Sequence, residues 1–290
     1  MTVQPIILSE GQLESFEAEG WLVVQNALKE DHLGPIRQVM SRTVDRQSRE
    51  WLRQGLIKDA CEGEPFETRY GSLRQQLPAT FSNSSRRILV SPEIFSVWQY
   101  PPLIRIMRQL IGDELYASTI WNGRPRAPQQ SVQTIDWHQD AQYMQDYDEK
   151  DIAIGVWIPL VPVEEKSGCM QVIPGSHRKG LRPEIRVERN NLLGLADCEV
   201  EGMKAVSCPM VPGDVLLFSE LLYHRSVENF SDYTRWSLDV RYFSALNKEL
   251  EMKEKKRYRG SGYYCFSSQD SSRVTPYEVW AAAYDYDGEF

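Results

Sequence analysis

Beyond Gly112 the chain breaks into short β-rich runs separated by turn residues: Tyr116–Trp121, Thr134–His138, Ile152–Leu160, Cys169–Ile173, Lys204–Cys208, Val215–Phe218, Leu222–Val227 and Arg235–Phe243. Pro174-Gly175 and Pro212-Gly213 punctuate them. Many short strands with Pro/Gly turns between them predict an antiparallel sandwich or barrel rather than βαβ units.

The first hundred residues have a different texture. Ser9 is placed to cap a helix, with Gln12 at the capping-box position ahead of Leu13 and Phe16. A short strand, Trp21–Val24, follows Gly20, and an amphipathic helix runs from Glu30 to Leu56 with Leu33, Ile36, Val39 and Met40 on one face. Pro101 and Pro102 open another helix, Leu103–Leu110, which stops at Gly112. Between these elements Cys61–Ser85 is polar and aperiodic and reads as a long loop. The helices are too few to form a core of their own, so they are expected to cover one face of the sheet. The expectation is one domain spanning 1–290: a helical buttress and lid over 1–112, a β core over 113–245, and a C-terminal extension over 246–290.

Composition removes several function classes. Hydrophobic residues make up 41% and charged residues 26%, a globular balance, and no apolar run approaches the roughly eighteen residues of a membrane span. Met1–Glu10 has no basic region followed by an apolar core, so a secretory signal is not expected and a cytoplasmic location is. The net charge of -8 repels phosphate backbones, which argues against nucleic acid as a partner. Arg86, Arg87 and the run Lys253–Lys256 read as solvated surface. Five widely spaced cysteines (Cys61, Cys169, Cys198, Cys208, Cys265) form no C-x-x-C pair and read as reduced core thiols. A homodimer is left open.

The chain has only four histidines, so their placement carries information. His138 and Asp140 stand two apart at the end of a predicted strand, where alternation puts them on one face. His224 is the histidine deep in a later strand. Two histidines and one carboxylate on one face of an octahedron leave three positions open, the facial triad of non-haem Fe(II) oxygenases, which use those positions for co-substrate and O₂. Eleven residues beyond His224 lies Arg235, and Ser226 follows His224 on its strand. A guanidinium fork with a hydroxyl matches the buried end of a dicarboxylate. His177, in Pro-Gly-Ser-His, reads as a hydrogen-bonding brace in a turn, and His32 as a surface residue near a helix start. Asp214 reads as a turn former. Trp98, Trp121 and Trp236 read as core.

These landmarks, in this order, resemble the phytanoyl-CoA dioxygenase family. The resemblance rests on Leu8–Phe16 with Glu19–Val24, on Trp137-His138-Gln139-Asp140, on Ser167–His177, and on Gly213-Asp214-Val215 leading to His224, Ser226 and Arg235. It implies a mainly β fold with flanking α, a double-stranded β-helix (jelly-roll, cupin-like) core buttressed by the N-terminal helices. It also implies Fe(II) on His138, Asp140 and His224, and 2-oxoglutarate held by Arg235 and Ser226 beside Trp157. The implied activity is oxidation of a C–H bond of a small organic molecule, hydroxylation by default, in secondary metabolism or elsewhere, with release of succinate and CO₂. A carboxylate at Asp140 fills the coordination position that a halogenase leaves for chloride. Nothing marks a coenzyme A site, so the family name does not specify the substrate. The alternatives are a cupin-like metal enzyme that uses no 2-oxoglutarate, against which Arg235 and Ser226 speak, and a non-catalytic binding protein on the same fold.

Three further expectations follow. Gln139, Tyr143 and Arg241 are candidates for contact with substrate. Cys61–Ser85, Tyr143–Asp148 and Val274–Phe290 are expected to gather at the barrel mouth. In the final strand, Arg235, Ser237, Asp239 and Arg241 alternate with Trp236, Leu238, Val240 and Tyr242, so an inward Arg235 turns the first set into the lumen. Arg241 would then reach the iron-proximal end of 2-oxoglutarate or a polar substrate group, or else join Asp239 in a structural network.

Overall fold

The computed structural model describes residues 7–78, 81, 86–118, 120–129, 134–144, 152–188, 192–244 and 263–284. Lys253–Lys256 and most of the Tyr143–Asp148 segment lie outside the described residues.

Two antiparallel sheets form the jelly-roll core. The larger runs β1 (Trp21–Val24), β10 (Val215–Ser219), β5 (Ala153–Pro159), β12 (Arg235–Ser244), β2 (Leu115–Ser118) and β13 (Tyr263–Ser267), with β3 (Asn122–Arg126) also paired to β12. The smaller runs β4 (Ile135–His138), β11 (His224–Ser226), β6 (Met170–Val172) and β9 (Val206–Cys208). A hairpin of β7 (Ile185–Arg186) and β8 (Leu193–Gly194) stands beside them. The two sheets face each other, since Ile135, His138, Met170 and His224 of the smaller line one chamber with Trp157, Phe218, Arg235 and Asp239 of the larger.

All ten residues of β12 are buried, because both of its faces are covered. The outer face of the larger sheet packs against a helical layer, α1 (Glu10–Glu19) beside β1, and α2 (Glu30–Arg53), α3 (Phe66–Gln75), α4 (Pro92–Phe95) and α5 (Pro101–Ile111) in one core with β12. The apolar stripe of α2 sinks as its period requires: Leu33, Ile36, Val39 and Met40 are buried. Trp98 Nε1 donates to the Arg241 carbonyl at 3.2 Å and Tyr242 Oη donates to the Trp98 carbonyl at 3.0 Å, which fixes the register of helix layer on strand. α1 begins at the Ser9/Gln12 capping box and ends at Gly20 with φ 78°. A Cβ at Gly20 would lie 2.4 Å from His177 Nδ1, and His177 Nε2 donates to the Glu17 carbonyl at 3.1 Å. His177 thus braces α1 against the turn after β6. Asp214 accepts from the backbone N–H of Asn26 and of Val211, closing its turn.

Several expectations need correction. Cys61–Ser85 is not one loop: α3 lies inside it, and its Phe66 and Tyr70 cover Trp236 at ring distances of 4.7 and 5.5 Å. Phe66, Tyr70, Leu73 and Leu77 do carry a helical spacing, but the polar residues between them mask it. α3 packs on the outer face of β12 rather than at the mouth. The tail also lies elsewhere than expected. α7 (Tyr277–Ala282), which follows the short α6 (Asp197–Val200), buries Trp280 among Phe95, Trp98 and Trp121, and Tyr284 accepts from Trp121 Nε1 at 2.7 Å. β3 went unread because Asn122-Gly123-Arg124-Pro125-Arg126 is polar and contains proline. Among the described residues it is an edge strand paired only with β12, where proline is tolerated. The five cysteines are free, as the sequence predicts, although Cys198 is exposed and Cys61 half-buried. No helix among the described residues is long and apolar enough to cross a membrane.

Gly155 on β5 faces Phe218 on β10 as a direct partner, and a Cβ there would lie 2.3 Å from the Phe218 ring. The Phe218 ring in turn lies 4.5 Å from that of His224. Gly155→Ala should therefore destabilise the protein by about 1–3 kcal/mol through overpacking. Denaturant unfolding reads this, and an unchanged midpoint would mean that the two sheets have room to separate.

Candidate active site

β4 delivers His138 and then ends. The chain leaves the strand at Gln139 and enters a single 3₁₀ turn, Asp140–Tyr143. Asp140 therefore reaches the site through the turn, not through the strand alternation that the sequence suggested. β11 carries His224 directly opposite His138 in the ladder, with the ring centroids 4.1 Å apart. Asp140 Oδ1 lies 3.9 Å from His138 Nε2 and 3.8 Å from His224 Nε2, and one donor atom from each residue falls within 4.8 Å of the others. All three side chains are buried.

Hydrogen bonding prepares the donors. His138 Nδ1 donates to the Asp136 carbonyl at 2.8 Å and His224 Nδ1 to the Leu222 carbonyl at 2.9 Å. A proton fixed on Nδ1 leaves the Nε2 lone pair free and aimed into the site. Burial, then the neighbouring His224, pushes the His138 pKa down to about 3, and burial lowers that of His224. Burial alone would raise Asp140, but Arg241 and His224 outweigh it and hold the carboxyl at about 2. Two neutral imidazoles and a carboxylate are the donor set that a divalent iron ion takes.

Arg241 is not turned toward an open co-substrate position. Its Nε donates to Asp140 Oδ2 at 2.7 Å, its Nη2 to Asp140 Oδ1 at 2.8 Å, and its Nη1 to Asp239 Oδ1 at 2.8 Å. Asp239 is held in turn by Arg124 Nε at 2.7 Å and Asn122 Nδ2 at 2.9 Å. Of the two roles left open for Arg241, the structure displays the network with Asp239, extended onto Asp140. Gln139 is fully buried and its amide is committed: Nε2 donates to the carbonyls of Gly180 and Leu221, and Oε1 accepts from the Arg182 N–H. It ties the turn to the neighbouring loops and offers nothing to a substrate. Tyr143 meets His138 edge-on at 5.9 Å and exchanges hydrogen bonds with the Leu193 backbone through its hydroxyl. It lines an outer chamber of about 230 Å³ with Ile120, Asn122, Arg124, Ile135 and Leu192.

An inner chamber leads from the histidines to Arg235, with Trp157, Ser226 and Met170 in its wall. Arg235 is 1% exposed. Its Nη1 donates to the Gly168 carbonyl at 3.0 Å, its guanidinium lies 5.4 Å over the Trp157 ring, and its Nε has no partner. No carboxylate pairs with it among the described residues. Burial, then repulsion from Arg124, lowers its pKa to about 10. Ser226 follows a bulge in β11, and its Oγ accepts from the Ile135 N–H at 3.3 Å. Asp239 faces the lumen beside Arg241 as the strand's alternation suggests, whereas Asn122 and Arg124 are site residues that no sequence reading brought forward. The period-two polar alternation of Asn122, Arg124 and Arg126 was the available signal.

A family model for phytanoyl-CoA dioxygenase matches residues 16–237, well over half of the 290-residue chain. The chain belongs to the phytanoyl-CoA dioxygenase family. One relative, 1-deoxypentalenic acid 11-beta-hydroxylase of Streptomyces arenae, is 27% identical over 224 residues, covering 71% of this chain and 75% of that one. The non-haem, α-ketoglutarate-dependent carbocyclase SnoK from nogalamycin biosynthesis superposes with a TM-score of 0.59 at 17% identity, over 88% of this chain and 96% of that chain. EvdO2 from Micromonospora carbonacea var. aurantiaca, solved with 2-oxoglutarate, gives 0.53 at 19% identity, over 82% and 91%. By family the chain is a dioxygenase-type oxygenase, and its fold is that of these α-ketoglutarate-dependent enzymes.

Arg241→Met would leave Asp140 and Asp239 buried without their shared cation. Removing one partner of such a network costs about 3–5 kcal/mol of stability. Loss of a group that orients a ligand lowers metal affinity about 10–100-fold. Fe(II) titration and unfolding should show both effects together, and unchanged Fe(II) affinity would refute the link to Asp140. Acid should act in the same direction on the metal-free protein. His138 and Asp140 have folded-state pKa values below their ordinary 6.5 and 3.8, so the unfolded chain binds more protons. Stability should fall as the pH drops below about 6.5, and further below about 4 as Asp140 protonates. A melting temperature that stays flat from about pH 7 to about pH 5 would contradict it.

Proposed function

We propose that this protein is an Fe(II)- and 2-oxoglutarate-dependent dioxygenase that hydroxylates a C–H bond of a small organic molecule. The observation that carries the reading is one chamber with two ends. His138 Nε2, Asp140 Oδ1 and His224 Nε2 converge at one end, and the carboxylate-free cation of Arg235 closes the other. On β12, Arg235 and Arg241 are about 20 Å apart along the strand, so one strand can serve both ends without the two guanidinium groups competing.

His138, Asp140 and His224 would hold the metal and leave three positions for co-substrate and O₂. Arg235 and the Ser226 hydroxyl would hold the distal carboxylate of 2-oxoglutarate, with the Trp157 ring against the guanidinium. Bound Fe(II) supplies the redox chemistry by which O₂, 2-oxoglutarate and a substrate C–H bond become succinate, CO₂ and C–OH, one oxygen atom going to each organic product. Arg241 keeps Asp140 ionised and fixes its orientation. Phe218, Met170 and Ile135 wall the chamber with apolar surface and limit water at the reacting carbon. The buried cation of Arg235 favours this reading over a cupin-like enzyme without 2-oxoglutarate, in which it would have no counter-ion.

Anaerobic addition of Fe(II) and 2-oxoglutarate should give a visible charge-transfer band. His138→Ala, Asp140→Ala and His224→Ala should each abolish it while circular dichroism reports a folded chain, and Arg235→Met should weaken 2-oxoglutarate binding at least about tenfold. His177→Ala should keep iron and lose thermal stability. If His177→Ala lost iron while His224→Ala kept it, the ligand assignment would be wrong.

A further inference from the structure

At the distal end of the lumen two arginines stand side by side, and neither has a counter-ion. Arg126 ends β3 and is the direct ladder partner of Arg235 on β12. Arg124 and Asn122, two and four residues earlier on β3, both bond Asp239 on the inner face of β12. Strand alternation therefore carries Arg126 to that same face, beside Arg235. Direct cross-strand partners have Cβ atoms about 5 Å apart, and like charges so placed repel. Asn229 Nδ2 donates to the Arg126 carbonyl at 2.8 Å and fixes the end of the strand.

No carboxylate pairs with either guanidinium among the described residues. Asp239, the acid on that face of β12, is already taken by Arg124, Asn122 and Arg241. Arg126 Nε and Arg235 Nε are buried without a hydrogen-bond partner. The Ser237 hydroxyl, two residues along the same face from Arg235, is buried and unpartnered as well. Burial, then repulsion from Arg235 and Arg124, lowers the Arg126 pKa, yet a guanidinium in a protein keeps its proton. An anion between the two groups would offset the burial and turn the repulsion into attraction.

We propose that Arg126, Arg235 and the Ser237 hydroxyl form an oxyanion site that takes inorganic phosphate or sulfate, and that such an anion competes there with the distal carboxylate of 2-oxoglutarate. Two guanidinium groups match a dianion, whereas a carboxylate brings one negative charge and leaves the second cation without a partner. A tetrahedral oxyanion also presents acceptors in several directions, enough for two guanidinium forks and a hydroxyl. Arg235 is 1% exposed and Arg126 only half-buried, so solvent reaches the pair from the Arg126 side. The site itself requires no metal. Only the competition rests on the reading of the protein as an Fe(II)/2-oxoglutarate enzyme.

The test begins with the metal-free full chain in a buffer without oxyanions, its thermal unfolding followed as sodium phosphate, sodium sulfate, sodium glutarate or sodium chloride is added at matched ionic strength. Phosphate and sulfate should raise the melting temperature along a saturable curve, at concentrations at least about tenfold below those at which glutarate does so, and chloride should not. Arg126→Gln should abolish the saturable shift without lowering the melting temperature of the anion-free protein, because it also removes the repulsion. A purely structural Arg126 would show the reverse. Arg126→Lys, which keeps the charge, should retain part of the shift. In the anaerobic Fe(II) complex, phosphate at roughly ten times its dissociation constant should raise the apparent 2-oxoglutarate dissociation constant about tenfold in the wild type and not in Arg126→Gln. No saturable shift with either oxyanion, an equal shift with chloride, glutarate binding as tightly as phosphate, or a shift that survives Arg126→Gln would each overturn the proposal. Absence of the charge-transfer band, with the phosphate shift of the metal-free protein intact, would instead refute the reading of the metal centre and leave the oxyanion site standing.

Discussion

The fork of Arg241 on Asp140 is the contact on which the rest of the site depends. A carboxylate, a second carboxylate at Asp239 and a guanidinium all lie inside a barrel, where leaving one of them unpaired costs several kcal/mol, on the order of 3–5. They are tolerated because each has partners at 2.7–2.9 Å: Asp239 takes Arg124, Asn122 and Arg241, and Arg241 takes both oxygens of Asp140. This arrangement requires β12 to be long, straight through the core and covered on both faces. The helices, with the Trp98 indole on the Arg241 carbonyl, cover its outer face, the smaller sheet lies opposite its inner face, and β3 and β5 pair with it in the ladder.

The division of the lumen into an end with His138, Asp140 and His224 and an end with Arg235 follows from the same strand. With a period of two, an inward Arg235 commits Ser237, Asp239 and Arg241 to the lumen, and the rise per residue sets how far apart they act. The inner face thereby gains a ladder of polar groups opposite the histidines of the smaller sheet, while the outer face presents Trp236, Leu238, Val240 and Tyr242 to the helices. The outer chamber, built from β3, the Asp140–Tyr143 turn and the β8 region, does not include Arg235.

Much of this was legible in the residues. Four histidines in the chain made His138 and His224 conspicuous, and Arg235 with Ser226 followed at the right remove. The alternation of β12 was clean enough to orient every side chain on it. The capping box at Ser9 and Gln12 and the paired prolines at the start of α5 fixed helix starts, because those signals depend on local hydrogen bonding alone. What escaped was structure imposed by distant partners. β3 is a strand because β12 offers it a ladder, not because Asn-Gly-Arg-Pro-Arg prefers one, and α3 forms where Trp236 needs a cover. Asp140 does meet His138 and His224, but a turn, not a strand, brings it there.

The sequence by itself determined the β-rich core with its helical buttress and brought forward His138, Asp140, His224 and Arg235 as candidates, since each is a statement about residue type, spacing and period. Only the tertiary structure decided what Gln139 and Arg241 do. Both are polar residues near the site, and no local pattern distinguishes a side chain that meets a substrate from one that is spent on the protein. The Gln139 amide is consumed by the backbone of Gly180, Arg182 and Leu221, and the Arg241 fork by Asp140 and Asp239. Arg124, which no motif singled out, has its Nε on a carboxylate because its place on an edge strand brings it opposite β12, and its remaining edge lines the chamber. Partners separated by a hundred residues in the chain become neighbours only when the two sheets close, and hydrogen-bond capacity is allotted at that step.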